Sequence, residues 1–289
     1  MNAPLPPPMP FSLPLSSLAP LPVPERFWGL VPCAGVGLRA VAGPAPAVVP
    51  GGDVPLPKQY HSVAGQPMVL HTLGAFAGVS RLLGTLVAVA PGDHFLDAYA
   101  HPAFFVVECG GPTRAQSVLG GLRALQERGA QATDWVLVHD AARCLVTSAQ
   151  IDGLMDVCAG DAVGGLLAHK LADTLKTSTV GPGGVRVAAT VDRSDKWLAQ
   201  TPQMFRLSPL MEALEKGGVN VTDEASAMEA MGLHPRLVSG GAQNFKVTYP
   251  DDFALAAAVL AQRSHGSTLD RFGAERGQGA TQTGRKTIY

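Results

Sequence analysis

The chain has 289 residues, enough for one large domain or two small ones, and 46% of them are hydrophobic. Its formal net charge is -1, which excludes the broad positive field of a typical nucleic-acid-binding surface, so anion binding must depend on individual lysines and arginines. No uninterrupted apolar run approaches the roughly 18 residues of a membrane-spanning helix. We therefore predict neither nucleic acid nor a membrane as a partner.

The cysteines and the N-terminal segment bear on cellular location. The four cysteines form no CxxC pair and show no metal-like spacing: Cys33, Cys109, Cys144 and Cys158. This usage fits a reducing compartment, and we predict a cytoplasmic protein. Residues 1–26 are rich in proline and have neither a basic start nor a continuous apolar stretch, so we interpret them as a disordered tail and not a signal peptide.

From Trp28 onward, short apolar runs alternate with longer amphipathic stretches, the pattern of a parallel sheet covered by helices. The predicted strands are 29–32, 84–90, 104–109, 135–139, 164–168, 236–238 and 245–248. The predicted helices are 67–79, 113–128, 148–158, 222–231 and 250–262. The fold class is therefore α/β with a mostly parallel sheet.

Three segments depart from this alternation. Residues 40–57 contain too much proline and glycine for a helix or a central strand, so we predict an inserted loop. Residues 170–196 contain Thr- and Val-rich pieces on either side of Gly181-Pro182-Gly183-Gly184, which predicts a hairpin that leaves the main sheet as an arm. Residues 264–289 are polar and lack periodicity, which predicts a flexible C-terminal tail.

The run LVPCAGVGLRA follows the first strand and ends with Arg39 and Ala40. Small residues there allow backbone amides to approach a phosphate or a base closely, and a nearby arginine can neutralise charge. The run also fits GxGxxA, which leaves a dinucleotide-binding dehydrogenase open as an alternative. That fingerprint should open directly into a helix, whereas here the Pro-rich loop follows, so the spacing argues against a dehydrogenase.

Three further motifs carry polar groups at strand or loop ends. Lys58 reappears after the inserted loop in the sequence PKQY. The run GGPTRAQS crosses from a strand to a helix, at the end of a parallel strand where open α/β sheets bind ligands, with Thr113 as a candidate N-cap. In VLVHDAAR, Asp140 ends a buried strand, where a carboxylate usually holds a metal or a sugar hydroxyl, and we interpret His139 as structural.

The order of motifs is more specific than any one of them. PCAGVGLR, PKQY, GGPTRAQSVLGGL, VHDAAR, ADTLK, TVDR, TPQMF, TDEASAME and NFKVT together resemble the motif series of the 2-C-methyl-D-erythritol 4-phosphate cytidylyltransferase family, over residues 28–260. The resemblance implies a single domain over residues 27–263, with a Rossmann-like nucleotidyltransferase fold and a projecting β-arm. It further implies CTP, methylerythritol phosphate and Mg²⁺, and a homodimer with arm exchange.

The resemblance also implies roles for individual residues, matched motif by motif. The catalytic cations would be Arg39, Lys58 and Lys246. The nucleotide would be bound by Pro32, Cys33, Ala34, Gly35, Gly37, Gly111, Arg114, Ser117, Asp140 and Ala141. The acceptor would be bound by Arg143, Thr174, Arg193, Thr201 and Thr222, and the metal by Asp140.

Two alternatives within reach of these motifs remain open. Ribitol-5-phosphate cytidylyltransferase shares most of them and differs chiefly in the acceptor pocket. A nucleotide-binding regulator without activity would result if the insertion, which is longer than the family usually has, blocked the site.

Overall fold

A computed structural model describes residues 25–35, 56–217 and 221–278 of the chain, with the side chains of the last helix described up to residue 264. Most of the predicted N-terminal tail, nearly all of the predicted loop 40–57, and the residues Gly37 and Arg39 lie outside these ranges.

The centre of the molecule is a seven-stranded sheet with the order β11-β7-β10-β6-β1-β4-β5. Its strands are β1 (Phe27–Pro32), β4 (Leu82–Ala88), β5 (Phe104–Val107), β6 (Trp135–Val138), β7 (Gly164–Lys170), β10 (Trp197–Arg206) and β11 (Arg236–Ser239). All neighbours pair in parallel except β10, which is antiparallel to both β6 and β7. The predicted mostly parallel sheet is confirmed.

Helices cover both faces of this sheet. They are α1 (Met68–Ala77), α2 (Arg114–Glu127), α3 (Ser148–Cys158), α4 (Leu207–Lys216), α5 (Glu224–Ala230) and α6 (Pro250–Gln278), with short 3-10 helices at Lys58–Tyr60 and Phe95–Tyr99. Strand β6 shows why two layers of helices form, because its side chains point alternately to the two faces of the sheet. Val136 and Val138 pack with α2, α4 and α5. Trp135 and Leu137 pack with α1 and α3 on the other face. None of the described helices combines the length and apolar character needed to cross a membrane.

The predicted arm is a separate two-stranded sheet formed by β8 (Leu175–Gly181) and β9 (Gly184–Val191). The turn between them depends on glycine, because Gly183 and Gly184 have φ values of 84° and 108°, in the region that other residues rarely adopt. A second small hairpin pairs β2 (Ser62–Val63) with β3 (Gln66–Pro67).

Strand β10 was not predicted, because Pro202 lies within it and proline is usually absent from central strands. The structure accommodates Pro202 at an irregularity, since the pairing of β10 with β7 is interrupted between Ala199 and Gln203. Pairing with β6 begins only at Gln203. The missing amide hydrogen of Pro202 therefore removes no bond from either ladder.

Two predicted elements near the C-terminus were wrong in extent or type. Residues 245–248 form no strand, and the amide of Val247 instead donates to the carbonyl oxygen of Ala142 at 2.8 Å. Helix α6 continues past its predicted end at residue 262 to Gln278, through a stretch in which no apolar periodicity marks a helix.

Candidate active site

A cleft of about 470 Å³ opens where the loops after β1, β5 and β6 meet, at the carboxyl ends of parallel strands. The predicted site residues that it brings together are Pro32, Cys33, Ala34, Gly35, Lys58, Gly111, Arg114, Ser117, Asp140, Ala141 and Lys246. The cleft is also lined by Gln59, Pro112, Thr113 and Ala142.

The loop after β1 lies directly against the loop after β5. A Cβ added to Gly110 would collide with the Cβ of Ala34 and lie 2.7 Å from the carbonyl oxygen of Val89. A Cβ added to Gly111 would lie 2.6 Å from the Cβ of Gln116. Glycine at these positions therefore allows the two backbones to form one continuous wall of the cleft.

The first turn of α2 contributes an ordered edge to the cleft. Thr113 is the N-cap, and its side chain accepts from the amide of Gln116 at 3.2 Å while the side chain of Gln116 accepts from the amide of Thr113 at 3.1 Å. Ser117 is buried, and its hydroxyl oxygen accepts from the amide of Gly111 at 3.0 Å. The positive end of the α2 dipole thus borders a cleft suited to anions.

Asp140 is the acidic centre of the cleft. Its Oδ1 accepts from Nε of Arg114 at 2.8 Å, and its Oδ2 accepts from Nζ of Lys246 at 2.7 Å. The terminal nitrogens of Arg114 donate to both carboxylate oxygens of Glu224, at 2.6 and 2.9 Å. The four groups form a row in which negative and positive charges alternate.

This arrangement keeps Asp140 and Arg114 ionised. Burial alone would raise the pKa of Asp140, but the charges of Arg114 and Lys246 outweigh burial and hold that pKa far below its usual range. Burial likewise opposes the charge of Arg114, and Glu224 and Asp140 reverse the effect, so the pKa of Arg114 lies above its ordinary value. Asp140 is therefore an anion at every physiological pH.

His139 supports the cleft from below and does not line it. Burial lowers the pKa of His139 to about 4, so the imidazole is neutral at pH 7. Its Nε2 lies 3.1 Å from the carbonyl oxygen of Arg143, which can only accept, so Nδ1 accepts from the Thr201 hydroxyl at 3.0 Å. Because Thr201 also accepts from the amide of Asp140 at 3.0 Å, its hydroxyl is committed beneath the cleft. The structural interpretation of His139 is confirmed.

Arg143 is held by backbone carbonyls on the far side of Asp140. It donates to the carbonyl oxygens of Asn244 at 2.8 Å and Ala199 at 3.1 Å, and its Nε lies 3.9 Å from Oδ2 of Asp140. Asn244 is fully buried and donates to the carbonyl oxygen of Thr201 at 2.8 Å. The segment that carries Lys246 is thereby tied to β10.

Lys58 begins the short helix Lys58–Tyr60, and its side chain is held by a backbone carbonyl. Its Nζ donates to the carbonyl oxygen of Val247 at 2.6 Å, next to Lys246. Buried Gln59 donates to the carbonyl oxygen of Cys33 at 2.8 Å, which joins this helix to the loop after β1. Burial raises the pKa of the Cys33 thiol to about 12, so the thiol stays protonated and is no nucleophile at neutral pH.

The structure does not bring every predicted residue to this cleft. Thr174 and Arg193 are exposed and flank the arm. Thr222 lines a neighbouring groove on the other side of Arg114. Gly37 and Arg39 lie outside the described residues, so their placement stays a prediction.

Two buried residues of this region were missed by the sequence analysis, although both lie in motifs that it quoted. Glu224 lies in TDEASA and Gln59 in PKQY. A polar residue next to a motif residue looks like surface in a sequence, and only burial shows that each must have a partner.

The comparison with known proteins agrees with the geometry. The family described as "IspD: 2-C-methyl-D-erythritol 4-phosphate cytidylyltransferase" matches residues 29–262. The chain belongs to this family. The family predicted from the motif series is confirmed, and membership in the cytidylyltransferase family excludes the dehydrogenase that GxGxxA had left open.

Individual relatives of the cytidylyltransferase family support the match. A 2-C-methyl-D-erythritol 4-phosphate cytidylyltransferase of Paraburkholderia phymatum is 46% identical over 247 residues, covering 84% of this chain and 99% of the relative. A bifunctional enzyme IspD/IspF of Albidiferax ferrireducens is 58% identical over 245 residues, covering 84% of this chain and 55% of the relative. The chain thus spans about half the length of that bifunctional relative.

Solved structures confirm the nucleotidyltransferase fold. A crystal structure of 4-diphosphocytidyl-2C-methyl-D-erythritol synthase matches with a TM-score of 0.69 and 38% identity. The match covers 82% of this chain and 100% of the chain in that structure. The cytidylyltransferase of Francisella tularensis has a TM-score of 0.64 and 30% identity, covering 80% of this chain and 98% of the other.

Proposed function

We propose that this chain transfers CMP from CTP to 2-C-methyl-D-erythritol 4-phosphate, releasing pyrophosphate and forming 4-diphosphocytidyl-2-C-methyl-D-erythritol. This reaction is a step of non-mevalonate isoprenoid precursor synthesis. Membership in the family supports this reaction. The observation on this chain that supports it most is that Lys58 and Lys246 line the same cleft as the glycine-rich loops and Asp140.

The chemistry requires no nucleophile from the protein. The phosphate of the acceptor attacks the α-phosphorus of CTP in line, and pyrophosphate leaves, so the protein must position two anions and stabilise added charge. Lys58 and Lys246 supply that positive charge from adjacent points of the cleft wall. Arg39, which lies outside the described residues, is proposed to act with them on the triphosphate.

The base and ribose are proposed to lie along the wall formed by the loops after β1 and β5. Main-chain groups of residues 32–35 and of Gly111 line the cleft there, and the Ser117 hydroxyl holds the amide of Gly111 in place. Gly37 and Ala141 would complete the nucleotide site.

Of the described residues that line this cleft, Asp140 is the carboxylate that could hold Mg²⁺. Among the described residues no group of three or more His, Cys, Asp or Glu side chains could hold a metal ion by itself. A single ionised carboxylate is what Mg²⁺ needs when the phosphates of a nucleotide and water supply its other ligands. When bound, the ion would neutralise charge on the phosphates of CTP.

We propose a homodimer in which the arm reaches the cleft of the partner subunit. The hairpin carries Val180, Val185 and Val187 with 86%, 73% and 66% of their surface exposed, which is unusual for valine in a monomer. Thr174 and Arg193 flank this hairpin and do not line the cleft of their own subunit. In the dimer they would hold the acceptor together with Arg143 and Thr222, while Thr201 would support the site from beneath through His139 and the amide of Asp140.

The proposed location is the cytoplasm. All four cysteines are free thiols, and CTP is an intracellular nucleotide. Free thiols persist where the compartment is reducing.

The first experiment measures pyrophosphate release from CTP and Mg²⁺ with methylerythritol phosphate or ribitol 5-phosphate as the acceptor. We expect release only with methylerythritol phosphate, and a loss of about 100-fold or more in kcat for Lys246→Met. Lys216→Met, which removes an exposed cation of α4, is the control and should leave kcat unchanged. Pyrophosphate release with ribitol 5-phosphate alone would show that ribitol 5-phosphate is the acceptor. CTP binding without turnover would indicate a nucleotide-binding regulator.

A further inference from the structure

Glu224 is a fully buried carboxylate with 0% exposure, located at the first residue of α5. It does not line the cleft, and both of its oxygens accept from the terminal nitrogens of Arg114. Burying a carboxylate is costly unless it is paired. The fold keeps this one in a fork-to-fork contact with an arginine that does line the cleft.

The backbone around Glu224 is fixed independently of any ligand. Asp223 is the N-cap of α5, and its Oδ2 accepts from Nε2 of Gln203 at 2.9 Å. Oε1 of the same Gln203 accepts from the amide of Ala225 at 2.7 Å. One buried glutamine of β10 therefore anchors the residues on both sides of Glu224.

Arg114 divides its donors between two carboxylates. Its two terminal nitrogens donate to Glu224, and its Nε donates to Oδ1 of Asp140. That division leaves Oδ2 of Asp140 to Lys246 at 2.7 Å. A guanidinium that loses one carboxylate tends to engage both oxygens of another, and the other carboxylate in contact with Arg114 is Asp140.

We propose that Glu224 is a positioning residue, which holds the terminal nitrogens of Arg114 away from Asp140 so that one oxygen of Asp140 remains for Lys246. The inference rests on the proposed function, because that function makes Lys246 one of the cations that stabilise the charge added during the reaction. Without the charge of Glu224, Arg114 turns its fork onto Asp140 and displaces Lys246. The bonds that hold the loop after β5, between Gly111 and Ser117 and between Thr113 and Gln116, do not involve Glu224.

The test is a comparison of Glu224→Gln with Glu215→Gln. Both variants change a carboxylate to an amide of equal size, and both remove an ion pair to an arginine of α2, but Glu215 is an exposed partner of Arg123 outside the cleft. For Glu224→Gln we expect kcat to fall about ten-fold or more with a change in the KM for CTP below about three-fold. Glu215→Gln should keep the wild-type values, and Glu224→Asp, which retains the charge, should recover part of the loss.

A double-mutant cycle with Arg114→Gln separates positioning from general destabilisation. If Glu224 acts only through Arg114, adding Glu224→Gln to Arg114→Gln lowers kcat no further. An equal loss in both backgrounds would overturn the proposal, and so would a lower melting temperature with unchanged kcat. Should Glu224→Gln not fold, Glu224→Asp carries the same cycle. Wild-type protein without turnover would refute the proposed function, whereas active wild type with an active Glu224→Gln would refute only this inference.

Discussion

At the scale of single residues, the floor of the cleft is organised by pairs of opposite charge. The partners are far apart in the sequence, because Arg114 and Glu224 are separated by 110 positions and Asp140 and Lys246 by 106. The sequence marked Asp140 through its place at the end of a buried strand. It could not mark Glu224, because nothing local distinguishes a paired acid from a solvated one.

His139 makes the stability of the fold depend on pH. Its folded-state pKa of about 4 lies below the ordinary value, so the unfolded chain binds more protons between about pH 4 and 6.5. Stability is therefore complete above about pH 6.5 and falls as the pH drops toward 4.

When the pH is lowered from 7 to 5, the protonation of His139 in the unfolded chain should lower the free energy of unfolding by about 2 kcal/mol. Urea denaturation at the two pH values measures it. His139→Gln should show a shallower pH dependence over this interval, although it is less stable overall, and His234→Gln, at an exposed histidine, should keep the wild-type dependence. Equal slopes for wild type and His139→Gln would contradict the assignment.

At the scale of elements, local patterns predicted most helices and parallel strands but not their contacts. Thr113 was a candidate N-cap from sequence alone, and the structure confirms the cap. Strand β10 was missed because Pro202 argues against a central strand wherever the ladder is regular. The sheet accommodates Pro202 because the pairing of β10 with β7 is interrupted there and its pairing with β6 begins only at Gln203. No local sequence pattern shows where that pairing is interrupted.

The caps of α2 and α3 form a matched pair for testing what the cleft requires. Thr113 and Thr147 each make a capping box with a glutamine three residues later, but only Thr113 lines the cleft. Alanine at either position should lower the free energy of unfolding by about 1 kcal/mol. Only Thr113→Ala should raise the KM for CTP, measured by pyrophosphate release, and a similar rise in Thr147→Ala would show that loss of stability alone causes it.

At the scale of the whole molecule, the arm packs little against the other described elements. Most of its residues are exposed, and it forms a sheet of its own. A two-stranded hairpin is marginally stable in water by itself. The proposed arm exchange would cover its apolar side chains with the partner subunit.

Replacing Val185 and Val187 with aspartate should therefore convert the dimer to a monomer, because charged side chains cannot be buried without partners. Sedimentation velocity gives the mass, and activity should fall with dimer content. Val157→Asp changes an exposed valine of α3 and should leave the mass unchanged. A wild-type protein that sediments as a monomer would refute the arm exchange.

The sequence by itself determined the alternation of strands and helices, the arm and the acidic strand end of Asp140, because each depends on residues close together in the chain. It determined the family through the order of motifs over residues 28–260. The tertiary structure decided which groups meet: Glu224 with Arg114, Lys58 with the carbonyl of Val247, and Thr201 with His139 beneath the cleft. These contacts follow from the order of strands in the sheet and the packing of α5 and β10. Burial then requires each charge or polar group to find a partner, and that requirement appears only once the chain is folded.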